Sequence, residues 1–188
     1  MIKAVFVDRD GTINVEKGHV FRCEDLEFLP GAVEGLRLLT ERGISIFIIT
    51  NQAGIAKGLY TEEDFRVFTE HMDGLLRREG VAIENTLFCP HHPEGIVPEY
   101  TKTCGCRKPN TLLLESVMRE RNYSIEELIL IGDKNSDIDA GNKLGLRTYL
   151  VLTGYGNEHR ESTKASFVVP DLLVAVKHLL KEWDRDRG

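Results

Sequence analysis

The chain has 188 residues, 41% of them hydrophobic and 29% charged, with a formal net charge of −6. This composition excludes disordered and fibrous classes, and the length lets one domain, residues 1–188, bury a full core without disulfide staples. The acidic balance argues against nucleic acid as the main partner, and no apolar stretch reaches the roughly 20 residues that a membrane span needs.

Met1 runs almost directly into an apolar segment, with no cationic region ahead of a long apolar one, so no signal peptide is expected and the protein reads as cytoplasmic. Thiols stay reduced there, so the four cysteines are weighed first as metal ligands.

The first apolar run, Ile2 to Val7, stops at Asp8-Arg9-Asp10-Gly11-Thr12. A buried strand ends there and displays two carboxylates at its C-terminal edge, where α/β proteins place ligands. Residues 8–30 form a long loop carrying Asn14, Glu16, Lys17, His19, Phe21 and Arg22, and such length points to function. Pro30-Gly31 opens a helix with Val33, Leu36, Leu38 and Leu39 inward and Gly43 beyond its last turn. Ile44 to Ile49 reads as a strand covered on both faces, ending in Thr50-Asn51-Gln52. Thr61, followed by Glu62, Glu63 and Asp64, reads as the N-cap of a helix that runs to Gly80 with Phe65, Phe68, Met72, Leu75 and Leu76 inward. A weaker third strand lies within Val81 to Phe88.

Residues 89–110 break the periodicity and hold three cysteines, two histidines and four prolines. A helix resumes at Thr111, and Ser124 with Glu127 has the spacing of a capping box that starts a short helix. The fourth strand, Leu128 to Ile131, ends in Gly132-Asp133, and a helix follows from Asp137 to Leu144. Thr148 to Leu152 is a fifth strand, Phe167 to Val169 a candidate sixth, and Pro170 begins a last helix whose tail, residues 184–188, is expected to fray.

Strands alternating with helices predict a three-layer, Rossmann-like α/β domain with a mostly parallel sheet. Three strands end in reactive polar residues, Asp8, Thr50 and Asp133. If those tips are neighbours, the strand order is 3-2-1-4-5, and the reversal between strands 1 and 4 makes a crevice.

Cys89-x-His91 and Cys104-x-Cys106 offer three thiolates and an imidazole as two knuckles twelve residues apart, with His92 as a competing imidazole. Three sulfurs and one nitrogen suit tetrahedral Zn²⁺ with no position left for water, a structural site. A Cys-x-Cys disulfide is strained by its geometry, and a proline-rich loop has little core in which to pack thiols. Cys23 lies outside the pattern as an unpaired thiol.

Taken together, Asp8-Arg9-Asp10-Gly11-Thr12, Thr50-Asn51, Arg107-Lys108-Pro109 and Gly132-Asp133 with Asp137 resemble, in order and over essentially the whole chain, the haloacid dehalogenase superfamily of phosphohydrolases. Alone, an Asp-x-Asp is as easily a turn, and Lys108 a solvated surface charge; the four blocks in register make the signal. The resemblance implies that Asp8 is a nucleophile forming an aspartyl-phosphate and that Asp10 is the general acid and base. It implies Mg²⁺ held by Asp8, Asp10 through its backbone carbonyl, and Asp133. Thr50 and Lys108 would bind the transferring phosphoryl group, and Asp137 would hold Lys108 or a water.

The zinc loop narrows the resemblance to a branch that contains heptose bisphosphate phosphatases and histidinol-phosphate phosphatases, and there the imidazole ligand is His91. Thr50-Asn51-Gln52-Ala53-Gly54-Ile55-Ala56, Cys89-Pro90-His91-His92-Pro93 and the long gap to Cys104 resemble the heptose side, although Ala53 stands where serine is common. A sugar bisphosphate, losing one phosphate in activated-heptose synthesis for surface glycans, is the implied substrate. Its contacts would come from Arg9, Glu16, Lys17, Gly18 and His19, from Asn51, Gln52 and Ala53, and from Arg107 and Lys134. No large cap domain fits in the loops after strands 1 and 3, and a monomer is expected. The competing expectations are a histidinol-phosphate phosphatase, a nucleic-acid phosphatase without an evident basic track, and a catalytically dead, zinc-stabilised binding module.

Overall fold

The structure, a computed structural model, describes residues 1–185. Six strands form one parallel sheet: β1 (Ala4–Val7), β2 (Ser45–Asn51), β3 (Asn85–Cys89), β4 (Leu128–Gly132), β5 (Arg147–Val151) and β6 (Phe167–Val169), in the order β3-β2-β1-β4-β5-β6. The sheet thus follows the expected order and adds the sixth strand at its edge. Register aligns the tips: Val7 pairs with Ile48 on one side and Ile131 on the other. Asp8 therefore emerges between Thr50 and Asp133, about one strand spacing from the strand of each, at the switch between β1 and β4.

Helices cover both faces: α1 (Ala32–Glu41), α2 (Ala53–Ala56), α3 (Glu62–Arg78), α4 (Leu112–Arg121), α5 (Asn135–Lys143), α6 (Gly156–His159) and α7 (Leu172–Arg185). Alternate strand residues sort to opposite layers. Val5, Val7, Ile46 and Ile48 meet Leu36, Leu39, Phe68, Met72, Val176 and Leu179, while Phe6, Phe47 and Ile49 meet Leu114, Val117 and Leu130. Among the described residues, no helix is long and apolar enough to cross a membrane.

Thr61 caps α3 as its sequence predicts: its hydroxyl accepts from the Asp64 amide at 3.1 Å, and the Asp64 carboxylate accepts from the Thr61 amide at 2.8 Å. The Ser124–Glu127 box is also made, with the Ser124 amide donating to Glu127 at 3.0 Å. It starts only a single 3-10 turn, Ile125–Glu127, because β4 claims Leu128. The one-turn helices α2 and α6 carry too few residues to show a period. Helix α7 runs through Asp184 and Arg185, which the sequence left as a frayed tail; residues 186–188 of that tail lie outside the described residues.

Candidate active site and metal centres

The loop after β1 is not loose. The Arg9 carbonyl accepts from the amides of Ile13 and Asn14, Leu29 donates to Ile13, and Ile13 and Val20 sink into the core. Gly11 has φ +85°, and a Cβ there would lie 2.2 Å from an Asp133 oxygen. At Gly154, with φ +53°, an added Cβ would lie 2.2 Å from the same oxygen and 2.6 Å from the Gly11 Cα. Around this pair, Thr153 Oγ1 donates to the Gly11 carbonyl at 2.7 Å and the Tyr155 amide donates to Asp133 at 2.9 Å. The turn after β5 thereby stitches the tips of β1 and β4 together.

Carboxylate oxygens of Asp8, Asp133 and Asp137 lie within 4.8 Å of one another, all three buried. Lys108 comes from the far side of the cysteine loop. Its Nζ is 2.6 Å from Asp8 and 2.6 Å from Asp137, and it also donates to the Ile49 carbonyl. Asn51 fixes its backbone twice, donating to the Lys108 carbonyl and accepting from the Lys108 amide, each at 3.0 Å. One ammonium cannot balance three desolvated acids. Burial pushes Asp8 up to about 6, against the pull of Lys108 and with Asp137 adding to the rise. Burial, then Asp8 and Asp137, push Asp133 up to about 8. Burial disfavours the Lys108 ammonium, but Asp137 and Asp8 more than restore it, so its pKa is raised. Asp133 Oδ1 is buried with no hydrogen-bond partner. A crowded, oxygen-only donor set with one orphaned lone pair fits a hard divalent cation such as Mg²⁺.

The Asp10 side chain stands apart from that cluster. The Arg9 guanidinium donates to both its oxygens at 2.8 Å, and Asn14 and Gln52 each donate at 3.0 Å. Burial alone would raise this carboxyl, yet the Arg9 charge and these donors hold it below the usual carboxylate range. Arg9 itself is fully buried: it donates to the Val20 carbonyl at 2.7 Å and lies 4.7 Å from the Phe68 ring centre. The motif suggested a substrate contact here; the structure turns the side chain inward onto Asp10.

A cavity of about 220 Å³ opens above the strand tips, and its lining includes Asp8, Asp10, Glu16, His19, Thr50, Asn51, Gln52, Ala53, Arg107, Lys108 and Lys134. Lys17 and Gly18 do not line it. Lys17 pairs with Glu27 at 3.0 Å, and the Gly18 amide donates to Glu16 at 2.7 Å, which shapes the loop instead. Lys57, His92, Ser136 and Asp137 do line it; the sequence pointed to His92 only as a competing zinc ligand and to Lys57 and Ser136 not at all. His92 and Ser136 stand beside motif residues without a spacing of their own, and Lys57 is marked only by its place just past Gly54-Ile55-Ala56.

The second cluster is built of softer atoms. Cys89, His91, Cys104 and Cys106 place their ligand atoms within 4.8 Å of each other. Cys106 Sγ is 3.1 Å from Cys104 and 3.2 Å from Cys89, and 3.3 Å from His91 Nδ1. These sulfurs are too far apart for a disulfide, whose S–S bond is about 2.05 Å. They converge with the imidazole on one point, and three thiols and one nitrogen suit Zn²⁺. His92 is turned away, its Nδ1 accepting from the Glu94 amide at 3.1 Å.

Comparison with known proteins accords with this geometry. A family model described as HAD-hydrolase-like matches residues 105–175. A D-glycero-alpha-D-manno-heptose-1,7-bisphosphate 7-phosphatase of Photorhabdus laumondii is 44% identical over 155 residues, 82% of this chain and 85% of that one. The chain belongs to the heptose-bisphosphate phosphatase family of HAD-like hydrolases. Another heptose-bisphosphate phosphatase, the D-glycero-beta-D-manno enzyme of Escherichia coli K12, is 38% identical over 180 residues, 94% of each chain. A crystal structure of the family's D,D-heptose 1,7-bisphosphate phosphatase from B. bronchiseptica, complexed with magnesium and phosphate, superposes with a TM-score of 0.87 at 25% identity, covering 96% of this chain and 99% of that one.

Proposed function

We propose that this protein removes the C7 phosphate of D-glycero-D-manno-heptose 1,7-bisphosphate, leaving heptose 1-phosphate for activated-heptose synthesis. The observation that carries the chemistry is the floor of the cavity: Asp8, held 2.6 Å from Lys108 and beside Asp133, with Asp10 at the same strand tip.

Asp8, Asp133 and the Asp10 backbone would hold Mg²⁺, which supplies positive charge so that an ester dianion can approach three carboxylates. Lys108 and the Thr50 hydroxyl bind the phosphoryl oxygens. An Asp8 oxygen attacks phosphorus and the ester P–O bond breaks. The departing alkoxide takes a proton from Asp10, whose protonated form is favoured once a phosphate dianion sits beside it. Water then attacks the acyl phosphate, giving its proton back to Asp10 and releasing Asp8 as carboxylate. At the cavity rim, Lys57, Arg107 and Lys134 provide cationic partners for the second phosphate, and Glu16 an acceptor for sugar hydroxyls.

Zinc at Cys89, His91, Cys104 and Cys106 would fix the loop that delivers Arg107 and Lys108, and Arg107 already donates to the His91 carbonyl at 3.3 Å. Four cysteines without a disulfide suit a reducing compartment, the cytoplasm. Phosphate release measured across a panel of sugar phosphates, with both anomers of the heptose bisphosphate and histidinol phosphate included, tests the substrate. A kcat/KM for one heptose anomer at least about 100-fold above histidinol phosphate is expected. A preference for histidinol phosphate overturns the assignment.

A further inference from the structure

Gln52 is 2% exposed and has all its amide atoms engaged in one chain of contacts. Its Nε2 donates to Asp10 Oδ2 at 3.0 Å and to Thr50 Oγ1 at 2.7 Å, and its Oε1 accepts from the Tyr60 hydroxyl at 2.5 Å. Tyr60 is 5% exposed and stacked on Phe21 of the first loop, ring centres 4.7 Å apart at 14°. Gly54 admits the ring: a Cβ there would lie 2.1 Å from Tyr60 Cε1. Burial pushes the Tyr60 phenol up, so the hydroxyl stays a donor.

A primary amide can be turned either way, and only one way serves the site. With Oε1 toward Asp10 and Thr50, lone pairs would face a carboxylate, and the Tyr60 hydroxyl would meet an NH₂. The Asp10 carboxylate, which can only accept, sets that choice, and the Tyr60 hydroxyl holds it by donating to Oε1. The NH₂ then faces Asp10, and the Thr50 hydroxyl proton is left free because Thr50 accepts from Gln52.

We propose that Tyr60, acting through Gln52, is a positioning residue that holds the Asp10 carboxyl in line with the leaving oxygen. This rests on the reading of Asp10 as proton donor to that oxygen. The relay moves no proton itself. Its contribution is needed when the leaving group is an alkoxide and must be protonated as the P–O bond breaks. It is not needed for a p-nitrophenolate, which departs as the anion.

The experiment compares Tyr60→Phe with the parent enzyme on the sugar bisphosphate and on p-nitrophenyl phosphate, with Asp10→Asn as the control. The variant keeps the stacked ring and removes the hydroxyl. Expected is a fall in kcat of about tenfold on the sugar phosphate, with KM and p-nitrophenyl phosphate turnover within about twofold of the parent. Gln52→Met, which deletes the donor to Asp10, should skew the two substrates in the same direction should Tyr60→Phe fold poorly. Equal losses on both substrates, or no loss on either, overturn the proposal. If Asp10→Asn itself shows no leaving-group selectivity, the reading of Asp10 is what fails; selectivity in Asp10→Asn without it in Tyr60→Phe defeats the relay alone.

Discussion

The two donor clusters of this protein are assembled in opposite ways. The aspartate site grows out of the sheet: its acids follow β1 and β4 directly, the register sets their spacing, and its donors are buried. The cysteine site is made by the last residue of β3 and the loop between β3 and α4, where three of its four ligands are only half-buried. The first is rigid before any cation arrives and carries excess negative charge. The second would be tied together by whatever its thiolates bind. A framework made by packing can afford electrostatic frustration, and a loop without a core cannot.

The sharpest break in that contrast is Asp8→Asn. It removes the proposed nucleophile, and turnover should fall by roughly 10⁴-fold or more. It also removes one of three crowded carboxylates, so the thermal midpoint of the metal-free protein should hold or rise; a large drop would mean the sheet edge depends on that charge. Burst-free kinetics with full activity in this variant would sink the covalent route.

Stripping the proposed zinc probes the other region. Removing it with a chelator selective over Mg²⁺ should lower kcat/KM by about 10–100-fold, since Lys108 and Arg107 lose their anchored neighbour, while the sheet's unfolding transition stays close to its original position. Readdition of zinc should restore activity. Full turnover in protein shown by elemental analysis to be zinc-free would separate the loop from the catalysis.

The smallest effect is at a helix cap whose two residues enter neither cluster, and it serves as the baseline. Thr61→Ala deletes the α3 cap and should cost about 1 kcal/mol, a few degrees in midpoint, without touching kcat. Its partner Asp64 is held below the usual carboxylate range by hydrogen bonds from Thr61. A depressed folded value stabilises above the unfolded 3.8 and is lost as pH falls through it. The midpoint difference between parent and Asp64→Asn should therefore be present at neutral pH and vanish in strong acid.

What could be read in the sequence was whatever periodicity or punctuation encodes. Apolar runs ending in Asp8, Thr50 and Asp133 gave the strand tips, and Thr61 gave a cap. The direction of a side chain inside a turn has no such signature. Arg9 sits between two site residues in the chain, yet the positive φ of Gly11 and the fold of the first loop carry its guanidinium onto Phe68. Asn51 lines the cavity but uses its amide on the Lys108 backbone. Lys57, Tyr60 and Gly154 matter through contacts between segments far apart in sequence, and no local pattern announces them.

The turn Thr153-Gly154-Tyr155 offers a design lesson. It brings no reacting group, only one hydroxyl, one amide and a missing side chain, and with these it fastens the Gly11 turn to Asp133. Anyone transplanting this chemistry onto a different scaffold by copying acids and lysine would leave the fastener behind. The copy would hold every reactive atom yet let two backbone segments drift apart by the width of a methyl group.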